Sequence, residues 1–99
     1  MTGTRDIVET VRIPAAHPAL PGHFPGNPIV PGVVLLDRIV AALERADGVH
    51  VVRIGAVKFL APLRPDEEAE LRIARDDKRI RFRIDRDGSP ILRGEGEIA

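Results

Sequence analysis

The segment from Pro14 to Leu36 constrains the fold of this chain more than any other, because it contains no charged residue in 23 consecutive positions. With 30% of the chain charged, about seven charges are expected in a segment of this length. The segment also holds six of the nine prolines and three of the nine glycines. Proline fixes φ and glycine permits positive φ, so the backbone here is predicted to be irregular and stiff. A rigid segment that avoids charge is typical of a binding site or an interface rather than of a linker.

The composition predicts one domain spanning residues 1–99, since a chain of 99 residues has no room for a second core. Fifteen basic residues balance fifteen acidic ones, and only 3% of residues are aromatic, which argues against a nucleic-acid partner. The absence of cysteine excludes disulfides and thiolate metal sites and favours a reducing compartment. Charges near the N-terminus and prolines in the uncharged segment argue against a signal peptide and a membrane span. We therefore expect a soluble, cytoplasmic protein whose small core favours oligomerisation.

Three elements are predicted in the first two thirds of the chain. Alternating side chains indicate a strand over Asp6–Ile13. A helix is predicted over Val33–Ala46, with Pro31-Gly32 at its start and Asp47-Gly48 at its end. The β-branched sequence Val51–Leu60 indicates a second strand.

Regular alternation of apolar and charged residues in the last third predicts two hairpins. A two-residue turn at Asp76-Asp77 sets the first, with the pairs Leu71–Phe82, Ile73–Ile80 and Glu70–Arg83. A three-residue loop at Asp87–Ser89 sets the second, with the pairs Ile84–Leu92, Phe82–Gly94 and Ile80–Gly96. Glycines on the inner face would let the helix approach the sheet closely. We therefore predict an α+β fold in which a curved, largely antiparallel sheet of about five strands wraps one helix.

Histidine is the side chain that changes its charge near neutral pH, and the chain contains three of them. His17 and His23 lie in the uncharged segment, whereas His50 stands at a predicted strand start and is interpreted as an ordinary structural residue. His23 is the strongest candidate because the sequence Gly22–Gly26 holds it on a stiff loop beside an aromatic ring. A metal site formed by His17, His23 and Asp37 has suitable ligand types but is the weaker hypothesis.

Asp37 is the first charge after the uncharged segment, and it stands among apolar residues of the predicted helix. A carboxyl group in apolar surroundings can stay protonated and act as a general acid. Asp37, Ala41 and Glu44 also recur at helical spacing, however, which fits a solvated polar stripe equally well. Gly32 opens the helix, where free N–H groups and the helix dipole favour developing negative charge. With His23 as base, these groups fit proton abstraction next to a carbonyl.

The sequence from His23 to Asp37 reads HFPGNPIVPGVVLLD. It resembles the active-site signature of bacterial 3-hydroxyacyl-(acyl-carrier-protein) dehydratases, which have the hot-dog fold. That signature is H-F-P-G-x-P-x-x-P-G-V followed by an acid fourteen residues after the His, and every specified position matches here. The sequence Val57–Pro62 resembles the following strand of the family more loosely. The chain resembles the small, divergent dehydratases of aryl-polyene and related pigment or polyketide clusters at least as well as it resembles the housekeeping fatty-acid enzymes.

The resemblance implies a role for each residue of the motif. His23 would be the catalytic base, Asp37 its acid partner, and the Gly32 amide the donor to the thioester carbonyl. The acyl tunnel would be lined by four further residues, namely Phe24, Ile29, Pro31 and Val33. The family acts on substrates linked to acyl carrier protein and forms homodimers in which the His and the acid meet across the subunit boundary. The resemblance implies neither a metal nor a cofactor.

Two features depart from the family pattern, and two alternative functions stay open. Arg38-Ile39 follows Asp37 where the family often has Ala-Gln, and the chain combines Asp37 with Val33. Asp at position 37 is the choice of the branch that also isomerises the double bond, whereas Val33 after Gly32 is the choice of the other branch. A hot-dog acyl thioesterase is the nearest alternative, because the fold hosts both activities. A non-catalytic acyl-binding subunit is the second, although the presence of both His23 and Asp37 speaks against it.

A row of arginines at positions 79, 81 and 83 is a further candidate surface for a carrier protein or a nucleic acid. The glutamates at positions 68 and 70 stand on the neighbouring predicted strand, so opposite charges would alternate across the two strands. We therefore interpret this row as part of a solvated outer face.

Overall fold

The computed structural model describes residues 5–17 and 29–99, and in these ranges one helix and five strands are formed. In chain order they are β1 (Arg5–Val11), α1 (Gly32–Asp47), β2 (Val51–Phe59), β3 (Ala69–Asp76), β4 (Arg79–Arg86) and β5 (Ser89–Ile98). The predicted helix and the two predicted N-terminal strands agree with α1, β1 and β2 to within two residues at each end. The strands form one antiparallel sheet in the order β1-β3-β4-β5-β2, and α1 packs against it. The predicted α+β hot-dog architecture is confirmed.

The ends of α1 follow from the residues at its two boundaries. Pro31 precedes the helix with φ −59° and ψ 140°, an extended conformation that fits its ring. Gly48 ends it in the left-handed region at φ 65°, and its N–H donates to the Glu44 carbonyl over 3.0 Å. The buried side of the helix is apolar and consists of Val34, Leu35, Ile39, Ala42 and Leu43. These side chains fill the concave face of the sheet, in one core with the inward residues of the strands.

The register of the first hairpin differs from the prediction by two residues. The observed pairs are Leu71–Ile84, Ile73–Phe82 and Glu70–Asp85, so the predicted pairs Leu71–Phe82, Ile73–Ile80 and Glu70–Arg83 are wrong. The turn lies at Asp77-Lys78, one residue later than expected, because Asp76 pairs with Arg79. Asp77 adopts φ 56°, a conformation that aspartate tolerates better than most residues. A shift of two residues keeps every side chain on its predicted face, so the alternation pattern could not reveal it.

The second hairpin has the predicted residue pairs but a different turn from the predicted three-residue loop. Ile84–Leu92, Phe82–Gly94 and Ile80–Gly96 are paired as expected. The loop is a two-residue turn at Asp87-Gly88, with φ 51° and 78°, and the additional residue is absorbed in an irregularity after Ile84.

The inward glycines of β5, Gly94 and Gly96, do not make room for the helix as the sequence predicted. A Cβ on Gly94 would lie 2.5 Å from Cε1 of Phe82, and one on Gly96 would lie 2.5 Å from the carbonyl oxygen of Arg53. The glycines therefore admit the Phe82 ring and the backbone of β2, not the helix. Both contacts arise within the sheet itself.

Two ion pairs tie the C-terminal half of α1 to the sheet. Arg75 on β3 donates to the Asp47 carboxylate over 3.0 Å, and the Asp47 side chain is only 1% exposed. Arg45 donates to Glu9 on β1 over 2.5 Å at a more exposed position. In residues 5–17 and 29–99, no helix combines the length and the apolar content that crossing a lipid bilayer requires.

Candidate active site

The backbone N–H of Gly32 stands at the start of α1. As the first residue of the helix, Gly32 carries one of the amides for which the helix itself provides no acceptor. The helix dipole adds a partial positive charge at the same point. The predicted oxyanion donor is therefore located where a carbonyl oxygen gaining negative charge would be stabilised.

Phe59, the last residue of β2, lies directly against Gly32. A Cβ added to Gly32 would be 2.5 Å from Cζ of Phe59, so any other residue here would collide with the ring. The ring thus lies beside the start of the helix. The sequence interpretation did not assign Phe59 to the site, although the looser resemblance of Val57–Pro62 to a family strand was a signal for this part of the chain.

A groove of about 400 Å³ opens beside this contact. None of the described residues that line it has a polar side chain, and these residues come from two segments, Ile29–Gly32 with Leu35, and Phe59–Leu63. Ile29 and Pro31, both predicted to line an acyl tunnel, are among its lining residues. Because apolar walls meet a free backbone amide at the start of α1, the groove can hold an acyl chain with its carbonyl end near Gly32.

Asp37 and Val33 lie on a different side of α1. Asp37 is exposed, and Val33 is 62% exposed. At about 100° per residue, Asp37 stands about 160° around the helix axis from Leu35, which lines the groove. Within one chain, the predicted acid therefore faces away from the groove, and Val33 is not among the groove residues.

His23 and Phe24 lie outside the described residues, so their predicted roles as base and tunnel residue stay predictions. The other two histidines are described. His17 is half-buried, and its backbone N–H donates to the Pro14 carbonyl. His50 is exposed, with its Nδ1 3.8 Å from a carboxylate oxygen of Glu44 on the α1 surface.

β2 is an edge strand with apolar side chains left open to solvent in the single chain. Val52 is 63% exposed, and Ile54, Phe59 and Leu60 are also exposed. An edge of nine residues with such side chains invites pairing with another strand. This edge leads directly into the groove through Phe59 and Leu60.

Comparison with known proteins links this architecture to dehydratases. The family model described as ApeI-like, ApeI dehydratase, matches residues 2–95. The 3-hydroxyacyl-(acyl-carrier-protein) dehydratase FabZ of Rhizobium rhizogenes is 32% identical over 76 residues, covering 68% of this chain and 48% of that protein. FabZ of Bartonella bacilliformis is 29% identical over 91 residues, covering 82% of this chain and 59% of that protein. The chain thus spans about half the length of the curated relatives it matches.

Solved structures give the same relationship at the level of the fold. The dehydratase heterocomplex ApeI:P from Xenorhabdus doucetiae superposes with a TM-score of 0.86 at 26% identity, covering 98% of this chain and 89% of that one. The (R)-hydratase from A. caviae involved in PHA biosynthesis superposes with a TM-score of 0.75, covering 96% and 93% of the two chains. At 20% identity the second likeness concerns the fold alone.

Proposed function

Because the chain belongs to the ApeI-like dehydratase family, we propose that it removes water from (3R)-3-hydroxyacyl thioesters carried on acyl carrier protein, giving trans-2-enoyl thioesters. The observation that carries the proposal is the meeting of an apolar groove with the free Gly32 amide. The relatives named FabZ support the substrate class. The pathway would be fatty-acid, aryl-polyene or polyketide-type biosynthesis in the cytoplasm.

The proposed reaction needs three groups. His23, as a neutral base, takes the proton from C2 while the Gly32 N–H donates to the thioester oxygen, on which negative charge develops. The C2–C3 double bond forms as the C3–O bond breaks. Asp37, as the general acid, gives a proton to the departing hydroxyl, which leaves as water. Proton transfer then returns His23 and Asp37 to their starting states.

The position of Asp37 supports a site shared between two chains. It faces away from the groove of its own chain, so it would serve the groove of a partner. The exposed apolar edge of β2 supplies a surface on which such a partner could pair. We propose a homodimer with a two-fold axis, which gives two equivalent sites per pair.

A second candidate assembly follows from the heterocomplex ApeI:P of Xenorhabdus doucetiae. Here the partner would be a different subunit, and this chain would supply only part of each site. Measuring the mass of the purified chain in solution distinguishes the two candidates. A dimer supports the homodimer, whereas a monomer that becomes active only after a second subunit is added supports the mixed complex.

The activity test is to incubate the purified protein with 3-hydroxyacyl carrier proteins of several chain lengths and to follow the mass of the acyl group. Loss of one water supports the dehydratase. Release of a free acid identifies a thioesterase, and a substrate that stays unchanged even after a second subunit is added identifies a non-catalytic binding subunit. Either of the last two results overturns the proposal.

Variants of the proposed base and acid test their roles. We expect His23→Ala and Asp37→Asn each to lose about 10²- to 10⁴-fold in turnover, because general acid–base groups contribute on that order. His17→Ala and His50→Ala are the matched controls and should keep near-normal turnover. If either first-named variant retained full activity, the role assigned to that residue would be wrong.

Mixing the two inactive variants tests whether the site is shared. Exchange of subunits between His23→Ala and Asp37→Asn dimers produces mixed dimers in which one site carries both defects and the other neither. Half of the dimers are mixed at random exchange, so activity should return to about a quarter of wild type. If mass measurement proves that the subunits exchange and activity still does not return, both residues belong to a site within one chain.

A further inference from the structure

The outer face of the sheet carries four cationic side chains in one straight row across four strands. The pairing registers place Arg72 of β3 opposite Arg83 of β4, Arg83 opposite Arg93 of β5, and Arg93 opposite Lys58 of β2. The side chains alternate with the buried inner residues, so all four stand on the face opposite α1. We call this set, Arg72, Arg83, Arg93 and Lys58, the cationic row.

A row of this kind costs stability unless anions compensate it, because like charges directly opposite each other on a sheet repel. Two of its members have an acid on their own strand: Arg72 lies 3.2 Å from Glu70, and Arg83 lies 3.2 Å from Asp85. Arg93 and Lys58 are exposed and have no carboxylate within ion-pair distance among the described residues. The uncompensated end of the row is thus at β5 and β2.

This uncompensated end adjoins the groove. Lys58 precedes Phe59 in the chain, and the Phe59 ring faces inward to Gly32 while the Lys58 side chain faces outward. A partner bound on the row would therefore lie beside the strand end that carries the groove wall. Nothing in the proposed chemistry uses these charges, so they are available for recognition.

We propose that the cationic row docks an acidic helix of the carrier protein that delivers the acyl group. The inference rests on the proposed function for its partner and on the row for its location. Neighbouring strands are about 4.8 Å apart, so the row spans about 14 Å over three intervals. Acids every third or fourth residue of a helix are spaced about 4.5–6 Å along its axis, which matches the strand interval.

Two other candidate occupants fit the row less well. A single-stranded nucleic acid relies on aromatic side chains for base stacking, and both described phenylalanines, Phe59 and Phe82, lie on the inner face. A second copy of this chain would have to bring a continuous acidic row. On one side of the cationic row, the neighbouring outer-face positions Glu70 and Asp85 already neutralise arginines. On the other side the acids Asp6 and Glu95 are separated by Ala74 and Arg81, so neither side offers a continuous acidic row.

The test compares the same 3-hydroxyacyl group on carrier protein and on a small thioester such as N-acetylcysteamine. We expect the double variant Arg93→Glu/Lys58→Glu to lose at least about tenfold in kcat/KM for the carrier-linked substrate, because reversing charges at a docking surface slows association. Activity on the small thioester should stay within about twofold of wild type, since the groove and its amide are unchanged. Raising the salt concentration should bring the wild type towards the variant.

The matched control is Lys78→Glu, which reverses an exposed charge at the β3–β4 turn outside the row. It should behave as wild type on both substrates. Arg93→Glu alone should leave the melting temperature unchanged or raise it, because it places a carboxylate between two cations, Arg83 and Lys58. An equal loss on both substrates, or an equal effect of Lys78→Glu, would overturn the docking assignment.

A binding measurement separates this inference from the proposed function. Fluorescence anisotropy of a labelled carrier protein reports docking even if the protein turns over neither substrate. If the wild type binds the carrier protein but turns over neither substrate, and the row variant no longer binds, the docking surface is supported. The dehydratase proposal is then overturned. Three results would overturn the docking proposal. The first is that the row variant binds the carrier protein as tightly as the wild type does. Alternatively, the row binds a single-stranded oligonucleotide more tightly than the carrier protein, or it holds together a larger assembly of this chain that dissociates in the variant.

Discussion

Replacing Gly94 by alanine tests how the core of the sheet is packed. The added Cβ would lie 2.5 and 2.6 Å from two atoms of the Phe82 ring and 3.1 Å from Cγ2 of Val57. Phe82 is 3% exposed and enclosed by the core, so its ring has little room to move. Overpacking costs about 1–3 kcal/mol, and the gain of about 0.5–1 kcal/mol on removing a strand glycine offsets part of this. Because two contacts lie well below 3.0 Å, the upper part of the overpacking range, about 2–3 kcal/mol, applies. We expect a net loss of about 1–2.5 kcal/mol, which for a domain of this size lowers Tm by about 4–20 °C.

The measurement is thermal and urea unfolding of variants at one protein concentration, since any dimer makes stability concentration-dependent. Gly55→Ala is the matched control, because the nearest atom to a Cβ there lies at 3.5 Å, an ordinary contact distance. It should be neutral or slightly stabilising. Adding Phe82→Leu to Gly94→Ala should cost less than the sum of the two single changes, because the smaller side chain relieves the collision. A neutral Gly94→Ala variant, or strictly additive changes, would refute the packing argument.

Two further substitutions test the ties between α1 and the sheet. Arg75→Met should lower the free energy of unfolding by about 1–3 kcal/mol, because it removes a cationic partner from the buried Asp47 carboxylate, whereas the more exposed Arg45→Met should cost less than about 1 kcal/mol. Equal losses in urea unfolding would contradict this difference. Gly32→Ala should slow dehydration of the small thioester but change Tm little. Phe59 is 55% exposed, so its ring can move away from the added methyl group, and it lines the groove, so its movement changes the groove wall. A large fall in Tm with unchanged turnover would place Gly32 outside the site.

The two hairpins illustrate how far local patterns determine the sheet. Alternation assigns each side chain to a face, and in both hairpins that assignment holds. Register depends in addition on the turn, and moving the first turn from Asp76-Asp77 to Asp77-Lys78 exchanges the predicted Glu70–Arg83 pair for Arg72–Arg83. Because a two-residue shift conserves both hydrophobic faces, only the conformation of the turn residues distinguishes the two registers.

The candidate site divides in the same way between local and long-range information. Gly32 and its position at a helix start were predictable, because proline and glycine punctuate the chain locally. The Phe59 contact depends on β2 returning beside the start of α1 after the whole helix has been formed. Such a contact depends on how elements distant in the sequence pack together, so no residue spacing in the sequence predicts it. The same reason applies to the row across β3, β4, β5 and β2, where side chains far apart in the sequence become neighbours only in the folded sheet.

The geometry of α1 is compatible with the proposal that one chain contributes to two sites. A helix has a single N-terminus, and here it carries the Gly32 amide at the groove. Its side chains point in all directions around the helix axis, and Asp37 lies about 160° around that axis from the groove-lining Leu35. Placing the acid on that outward side costs nothing within the chain, because the carboxylate stays in water until a partner covers it. A two-fold pair would cover both acids together, so the shared-site proposal ties the burial of each acid to the completion of the other chain's groove.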